Sequence, residues 1–381
     1  MDFSLSQEQR DLQAAVIRFA ERELNDDLLQ RDGRGEFPRG LWEKCAHFGI
    51  QGLPIPEAYG GSGFDALTTI LALEALGYAC KDNGLLFSLN AQMWSFELPL
   101  LKFGREEQRL RFLPRLCDGS MIGVQAMSES LSGSDAFSLR TTAEKRGDRY
   151  IVTGSKVFVT NAPIADAFLL FARTDPAKGF AGISAFVLER ETPGVTVSGQ
   201  AHKMGLRTSP MGELALDACE VPEENLVGPP GAGTTIFNVS MDWERLCILA
   251  CAVGTMQRQL ERCVRYAKER TQFGQPIGKF QAVAHRIVDM KIRLETARLL
   301  LHKVGWLKAN GQRTRVESAM VKLYLSECFV HSSLDAVQIH GGYGYMGEYE
   351  LERELRDAVG SRIYSGTSEI QKNIIAGGLG L

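Results

Sequence analysis

The sequence predicts an α+β multidomain protein in which a helical domain, a domain of short β-strands and a bundle of long helices follow one another. Two observations lead to this prediction. The chain has 381 residues, which exceeds the size of one simple hydrophobic core. The apolar spacing changes from helical to strand-like near residue 121 and becomes helical again near residue 234. We therefore predict an N-terminal helical domain over residues 1–120, a middle β domain over 121–233 and a C-terminal helical bundle over 234–381.

The N-terminal domain begins with the segment "QEQRDLQAAVIRFAERELN", whose apolar residues recur at helical spacing. The residues expected on its buried face are Leu12, Val16, Phe19 and Leu24. The next segment, "GLPIPEAYGGSG", is rich in proline and glycine and therefore predicts a loop. Further apolar stretches at about 66–80 and 84–104 complete the helical domain.

The middle domain is predicted from five short segments that are rich in Val, Ile, Phe and Thr. They are "YIVTGSKVFVTNA", "AFLLFAR", "ISAFVLER", "GVTVSG" and "GELALDACEV", and Gly, Pro and Asp separate them. Runs of this length and composition are typical of β-strands bounded by turns. We expect them to form a small antiparallel sheet.

The C-terminal domain is predicted from two long runs of apolar residues with helical spacing. The first run contains Leu246, Leu249, Ala250, Val253, Leu260 and Val264. The second run contains Ile287, Met290, Leu294, Ala297, Leu301 and Val304. The near-heptad spacing of the second run suits a four-helix bundle.

Composition and charge argue against several classes of function. The formal net charge is −3 and the isoelectric point is about 6.1, so no basic surplus indicates a nucleic-acid partner. No run of about 20 apolar residues would span a membrane, and we expect no membrane partner. The eight cysteines form no C-x-x-C pair, so we predict no metal site and expect reduced, buried thiols. The polar stretch "MDFSLSQEQRDLQ" does not resemble a secretory signal, so we expect a cytoplasmic protein.

Six separate stretches, in order and at matching spacing, resemble motifs of the acyl-CoA dehydrogenase superfamily over essentially the whole chain. They are "SESLSGSD" (128–135), "GSKVFVTNA" (154–162), "KMGLRTSPMGELALDACEVPEENLVG" (203–228), "ERTQFGQPIGKFQ" (269–281), "QIHGGYGY" (338–345) and "YSGTSEIQ" (364–371). The resemblance implies that family's fold. One departure concerns the first motif, where Ser130 and Leu131 replace the family's Pro and Gly. Ser130 and Leu131 lie in the loop that corresponds to the family's flavin-facing loop, so we expect that loop to be altered here.

The resemblance also implies that the protein binds FAD, whose ring and phosphates need polar donors and an apolar wall. The positions that match the family's contacts to the flavin ring and pyrophosphate are Met127, Ser128, Gly133, Ser134, Phe158 and Thr160. Thr367 and Glu369 match the positions that close over the flavin. Taken alone, "SGSD" is typical of a surface turn and Phe158 of an aromatic residue in a sheet core.

A second group of residues matches those that reach the FAD of a neighbouring subunit in the family. These are Arg270, Phe273 and Gln281, with Gln338 and Gly342 in a loop near the adenine. Arginine suits this role because it pairs with phosphate and stacks on planar rings. Glycines let backbone N–H groups approach phosphates. The resemblance therefore implies a homo-oligomer, with a homotetramer as the expected form, although "ERTQFG" alone also fits a solvated helix end.

The catalytic base presents a question, because many family members carry a Glu directly before the Gly-Thr pair and this chain carries Ser365. A hydroxyl is too weak a base without a partner to remove a proton from the Cα atom of a thioester. Isovaleryl-type members place the base in the first long helix of the last bundle, and Glu244 in "SMDWER" matches that position. We therefore predict Glu244 as the base, while capping of a helix start by the acidic residues of "DWER" is the alternative.

Further residues around the predicted base match substrate-binding positions. These are Asp242, Arg245, Ser365 and Gly366. Ser365 is expected to leave room for a cyclic acyl group, and Gly366 to let the backbone pass close to the thioester. An inactive or repurposed flavoprotein is a remote alternative that the missing Glu leaves open.

Four stretches narrow the resemblance to the prolyl-carrier-protein dehydrogenases and oxidases: "NAPIAD", "LRTSP" with the following "GE", "SMDWER" and "IYSGTSEIQ". This implies Cα–Cβ dehydrogenation of proline held as a thioester on the phosphopantetheine arm of an acyl or peptidyl carrier protein. Oxygen and an electron-transfer flavoprotein both remain open as electron acceptors. The alternatives are a short branched-chain, isovaleryl-type acyl-CoA dehydrogenase and, more remotely, a DNA-binding member of the superfamily, whose basic surface the composition does not match.

Overall fold

The computed structural model describes residues 4–381, so the first three residues of the polar N-terminal stretch lie outside the described residues. The first part of this chain is helical, as the sequence predicts. Its helices are α1 (Gln7–Glu23), α2 (Leu28–Arg34), α3 (Arg39–Phe48), α4 (Ala66–Ala79), α5 (Asn83–Gln92), α6 (Leu98–Phe103) and α7 (Glu106–Cys117).

Helix α1 shows how local sequence sets the ends and faces of these elements. The Ser6 side chain accepts a hydrogen bond from the Gln9 N–H, and the Gln9 side chain accepts one from the Ser6 N–H, so a capping box begins the helix. Its buried face contains Val16 and Phe19, as predicted, and packs on α4. Leu12 is only half-buried.

A π-helical turn, Met93–Glu97, separates α5 from α6 inside the stretch that the sequence predicts as helical from 84 to 104. All five residues of the turn are buried. Pro99 has no N–H to donate to the carbonyl of Ser95, which removes one α-helical hydrogen bond here. Periodicity alone does not reveal such a turn, because the same residues remain apolar and buried on both sides of it.

The middle part of the chain forms one eight-stranded sheet. Its strands are β1 (Gly123–Ala126), β2 (Thr142–Arg146), β3 (Arg149–Thr160), β4 (Ala167–Arg173), β5 (Ile183–Glu189), β6 (Val195–Val197), β7 (Met211–Pro222) and β8 (Leu226–Val227). The order is β6-β7-β3-β2-β4-β5-β8, with β1 beside β4. The prediction of an antiparallel sheet is wrong for two pairs, because β1 and β2 both pair with β4 in parallel. Strand β3 runs opposite to β2, and the chain reverses again after β3. Strand β4 therefore runs in the same direction as β1 and β2.

The last part of the chain is helical again. Its elements are α8 (Gly233–Cys247), α9 (Ala250–Glu269), the hairpin strands β9 (Thr271–Gln272) and β10 (Gln275–Pro276), α10 (Gln281–Ala309), α11 (Arg315–His340), α12 (Leu351–Gly360) and α13 (Ser368–Gly378). Helices α9, α10 and α11 pack on one another, and α4 packs against α9 and α10. The run of apolar residues from Leu246 to Val264 does not form one helix, because the chain breaks between α8 and α9 at Ile248 and Leu249.

Three further observations bear on function. None of the described helices is long and apolar enough to cross a membrane. Within residues 4–381, no group of His, Cys, Asp and Glu is arranged to hold a metal ion. All eight cysteines are free and buried, as the sequence predicts.

Candidate active site

A cavity of about 620 Å³ lies where the sheet, α5, α8 and the segment before α13 meet. It brings together many of the predicted site residues, although they are far apart in sequence. Those that line it are Met127, Ser128, Gly133, Ser134, Phe158, Thr160, Glu244, Arg245, Ser365, Gly366 and Thr367. Its volume lies within the usual range for small-molecule sites, so it is the candidate active site.

Glu244 lies in the last turn of α8 and faces this cavity. The alternative that the "DWER" carboxylates cap a helix start is wrong, because α8 begins at Gly233 and Glu244 lies near its C-terminal end. The side chain is only 8% exposed. Burial raises the pKa of Glu244, while the Ser365 hydroxyl, Arg245 and Lys322 oppose that rise. A carboxyl group with a raised pKa in a cavity has the properties of a general base.

Ser365 adds a contact that the sequence analysis does not predict, since its hydroxyl donates a hydrogen bond to Oε1 of Glu244. The backbone here is unusual, with φ of +56° at Ser365 and +89° at Gly366. A Cβ atom at Gly366 would lie 2.8 Å from Nε2 of Gln371, so a glycine suits this position. The strained turn brings the Ser365 hydroxyl into contact with the Glu244 carboxylate, although the two residues are 121 positions apart in sequence.

Arg245 and Asp242 do not occupy equivalent places. Arg245 is buried and lines the cavity, and its Nε has no hydrogen-bond partner among the described residues. Asp242 does not line the cavity, so its role in substrate binding stays a prediction. Its Oδ1 lies 3.6 Å from Nη1 of Arg245, one helical turn away, so its effect on the site passes through that guanidinium group.

Phe158 lies in a bulge of β3, where the pairing with β7 shifts between Lys156 and Val159. Its φ is +56° and its side chain is 71% exposed while lining the cavity. The alternative that Phe158 belongs to the sheet core is therefore wrong, because the bulge turns the ring out of the sheet. An exposed aromatic ring at a cavity wall is suited to cover a flat ligand.

A buried ion pair between Glu129 and Lys156 supports the loop that begins at Ser128 and contains Ser130 and Leu131. The Glu129 carboxylate is buried beneath it and accepts hydrogen bonds from the backbone N–H groups of Arg140 and Thr141. Lys156 donates to Glu129 at 2.8 Å and to the Met127 carbonyl at 3.1 Å. Burial alone would raise the pKa of Glu129, but Lys156 and these donors hold it below its usual value. The sequence analysis misses this ion pair, because no local pattern connects β3 with the loop.

Several predicted cofactor residues do not line the cavity of a single chain. These are Arg270, Phe273, Gln281, Gln338, Gly342 and Glu369, all of which are exposed. Phe273 is 93% exposed at the β9–β10 turn, and the Arg270 guanidinium lies 5.7 Å from the centre of the Tyr343 ring. Their contact with a second subunit stays a prediction. Glu369 lies in the first turn of α13, where Thr367 caps the helix by accepting from the Ile370 N–H.

The cavity has the chemistry that an isoalloxazine ring requires. Ser128, Ser134 and Thr160 contribute hydroxyl-bearing side chains to its lining, and Phe158 supplies an apolar surface. Gln125 also lines the cavity, and its Oε1 is buried without a hydrogen-bond partner among the described residues, so it is available to a ligand donor. These residues therefore fit a flat, partly apolar ring with a hydrogen-bonding edge, such as that of FAD.

Family models match nearly the whole chain. The N-terminal domain of acyl-CoA dehydrogenases matches residues 6–120, the middle domain residues 124–219 and the C-terminal domain residues 231–380. Among curated relatives, an L-prolyl peptidyl-carrier-protein dehydrogenase of a Serratia species is 42% identical over 381 residues. That match covers 100% of this chain and 99% of the relative.

Solved structures give the same picture. The crystal structure of the prolyl acyl carrier protein oxidase AnaB is 51% identical, with a TM-score of 0.98 over 99% of this chain and 100% of that one. The structure of PigA with FAD and proline is 42% identical, with a TM-score of 0.98 over 100% of both chains. At this level of identity and coverage, the similarity includes all three parts of the chain: the N-terminal helices, the sheet and the C-terminal helices.

Proposed function

Because this chain belongs to the acyl-CoA dehydrogenase family, we propose that it is a FAD-dependent dehydrogenase of acyl thioesters whose substrate is a prolyl group on a peptidyl carrier protein. The observation that carries the proposal is the buried Glu244 carboxylate, which faces the cavity and accepts a hydrogen bond from Ser365. A base is thus present although the usual Glu before the Gly-Thr pair is missing.

In this mechanism Glu244 accepts the proton that leaves the Cα atom of the prolyl group. Burial supports this role because it raises the pKa of the carboxyl group and so strengthens it as a base. The Ser365 hydroxyl keeps the carboxylate oriented toward the cavity. The Arg245 guanidinium lies beside it and favours the ionised form.

FAD supplies, when bound, the acceptor for the hydride that leaves Cβ. The residues that would hold its ring are Met127, Ser128, Phe158, Thr160 and Thr367, with Gly133 and Ser134 beside the phosphates. Phe158, turned out of the sheet by the bulge, would cover the ring, and the Lys156–Glu129 pair supports the loop that begins at Ser128. These residues bind and orient, whereas the proton transfer belongs to Glu244.

The choice of a prolyl carrier protein rests on the relatives. Both the Serratia dehydrogenase and AnaB carry prolyl-carrier names, and PigA was solved with proline. We further propose a cytoplasmic homotetramer in which Arg270, Phe273, Gln281, Gln338 and Gly342 complete the cofactor site of a neighbouring subunit. Oxygen or an electron-transfer flavoprotein then reoxidises the flavin.

The test is anaerobic mixing of the purified holoenzyme with prolyl carrier protein and, separately, with isovaleryl-CoA, followed by flavin absorbance. The proposal expects bleaching by the carrier-bound proline and not by the coenzyme A ester. Bleaching by isovaleryl-CoA alone would assign a branched-chain acyl-CoA dehydrogenase instead. Bleaching by neither substrate, with flavin bound, would contradict both assignments.

A further inference from the structure

Lys322 is a buried lysine to which the proposed mechanism gives no role. It lies in α11 and its side chain is fully buried. No carboxylate among the described residues pairs with it within 4.0 Å, and its Nζ donates instead to the carbonyl oxygen of Gly366 at 2.6 Å. An ammonium group is costly to bury without a paired carboxylate, so a position of this kind is a candidate for a functional role.

The contact at Gly366 connects Lys322 to the predicted base. Two buried side chains outside the cavity lining donate hydrogen bonds to the backbone of the strained turn. Lys322 donates to the Gly366 carbonyl. Gln371 donates to the carbonyls of Gly366 at 2.8 Å and Ser365 at 3.1 Å. The same turn carries the Ser365 hydroxyl, which donates to Glu244 at the cavity. The orientation of that hydroxyl therefore depends on donors that are not in the cavity.

The charge of Lys322 also acts on Glu244 directly. The charged and titratable groups that face Lys322 are Glu244 and Arg245 on α8, Glu327 on α11, Glu369 on α13 and the ring of Tyr364. Burial lowers the pKa of Lys322 to about 7, Arg245 adds to this effect, and the carboxylates oppose it. In return, the positive charge of Lys322 opposes the rise in the pKa of Glu244 that burial causes.

We propose that Lys322 is a positioning residue for the base: its ammonium group fixes the Ser365–Gly366 turn and supplies a positive charge that favours the ionised Glu244 carboxylate. Gln371 shares the first task but not the second, because it carries no charge. The inference rests on the proposed function only in taking Glu244 as the base. The identity of the acyl group does not enter it.

The first test compares the pH dependence of flavin reduction in holoenzyme variants, with whichever acyl thioester reduces the wild-type flavin. Lys322→Met removes both the donor and the charge, Lys322→Gln removes the charge, and Gln371→Met is the control that removes only a donor. We expect Lys322→Met to lower the limiting rate by roughly 10- to 100-fold, the order of loss for a misplaced catalytic group. Its acidic limb should move to higher pH.

The variants separate the charge from the hydrogen bond. Lys322→Gln should move the acidic limb in the same direction with a smaller loss of limiting rate. Gln371→Met should lower the rate and move the limb less than either Lys322 variant, because it disturbs the turn that orients the Ser365 hydroxyl but removes no charge. An unmoved limb in both Lys322 variants would overturn the proposal, as would an equal movement in Gln371→Met.

A second measurement needs no substrate and no lysine variant that must stay active. Lysine side chains labelled with ¹³C at Cε are titrated by NMR in the wild-type protein and in Glu244→Gln, with Lys322→Arg used to assign the signal. Because the Glu244 carboxylate raises the pKa of Lys322, we expect the Lys322 pKa to be lower in Glu244→Gln. An unchanged Lys322 titration would refute the coupling, whereas failure of the prolyl substrate alone would leave this result standing.

Discussion

The Ser365 hydroxyl donates a hydrogen bond to the Glu244 carboxylate, so the residue at the usual position of the base is in contact with the residue that we propose as the base. Ser365 lies in a left-handed turn and Glu244 in the last turn of α8. The two positions from which the family presents a base thus meet at one place in the cavity.

Replacement of Ser365 with alanine should reduce the fraction of Glu244 that is ionised below the acidic limb of the pH profile. The hydroxyl donates to the carboxylate and so favours its ionised form, which means that its loss raises the pKa of Glu244. The acidic limb of the flavin-reduction profile should therefore move to higher pH, and the rate below that limb should fall. Ser365→Gly also lacks the hydroxyl but suits the positive φ of this turn, so it should move the limb in the same direction and serves as the control for backbone strain. A profile of Ser365→Ala that superimposes on the wild-type profile would disprove the role of this hydrogen bond.

Replacement of Phe158 with alanine should weaken flavin binding without affecting the stability of the apoprotein. The ring is 71% exposed, so the free energy of unfolding should change by no more than about 0.5 kcal/mol. Loss of an aromatic cover should lower FAD affinity by roughly two- to tenfold, given about 0.5–1.5 kcal/mol for a ring–ring contact. Flavin fluorescence titration measures the affinity and thermal unfolding measures the stability. A large drop in the melting temperature of the apoprotein would place Phe158 in the structural core instead.

Glu97 should make the fold less stable as pH rises. The carboxyl group is fully buried in the π-helical turn, its Oε2 has no partner among the described residues, and burial raises its pKa to about 8. The folded state therefore binds a proton that the unfolded state releases near pH 4.5, and this contribution to stability is lost as pH rises toward about 8.

Glu97→Gln tests this directly, because it keeps the acceptor for the Gln92 amide without the charge. We expect the melting temperature of the variant to change less than that of the wild type between pH 6 and pH 9. The corresponding difference in the free energy of unfolding should be on the order of the 1–3 kcal/mol that an unsatisfied buried polar group costs. Parallel curves for the two proteins would show that Glu97 does not titrate in this range.

The sequence predicts much of the fold because helices and strands differ in apolar period, and that signal is local. The order of helices, strands and helices follows from it, as does the buried face around Val16 and Phe19. The parallel pairing of β1 with β4 and the break at Ile248 do not follow from it. Pairing direction depends on where the chain re-enters the sheet, and the break leaves the apolar pattern unchanged.

The candidate site divides in the same way. Glu244 is predicted from a resemblance in a short segment, and the structure places it in the cavity. The contacts that orient it are invisible in the sequence, because Ser365 lies 121 residues away and Lys322 sits behind the turn. The side-chain direction of Asp242 depends on its place on the helical face, which a matched motif does not resolve.

The central claim is that Glu244 is the base, and the most direct test is anaerobic stopped-flow reduction of the flavin by prolyl carrier protein in the wild type and Glu244→Gln. The account predicts that the variant retains FAD and folds normally but reduces its flavin at least about 10²-fold more slowly, the usual contribution of a general base. Reduction of the Glu244→Gln flavin at the wild-type rate would contradict the account and require a base elsewhere in the cavity.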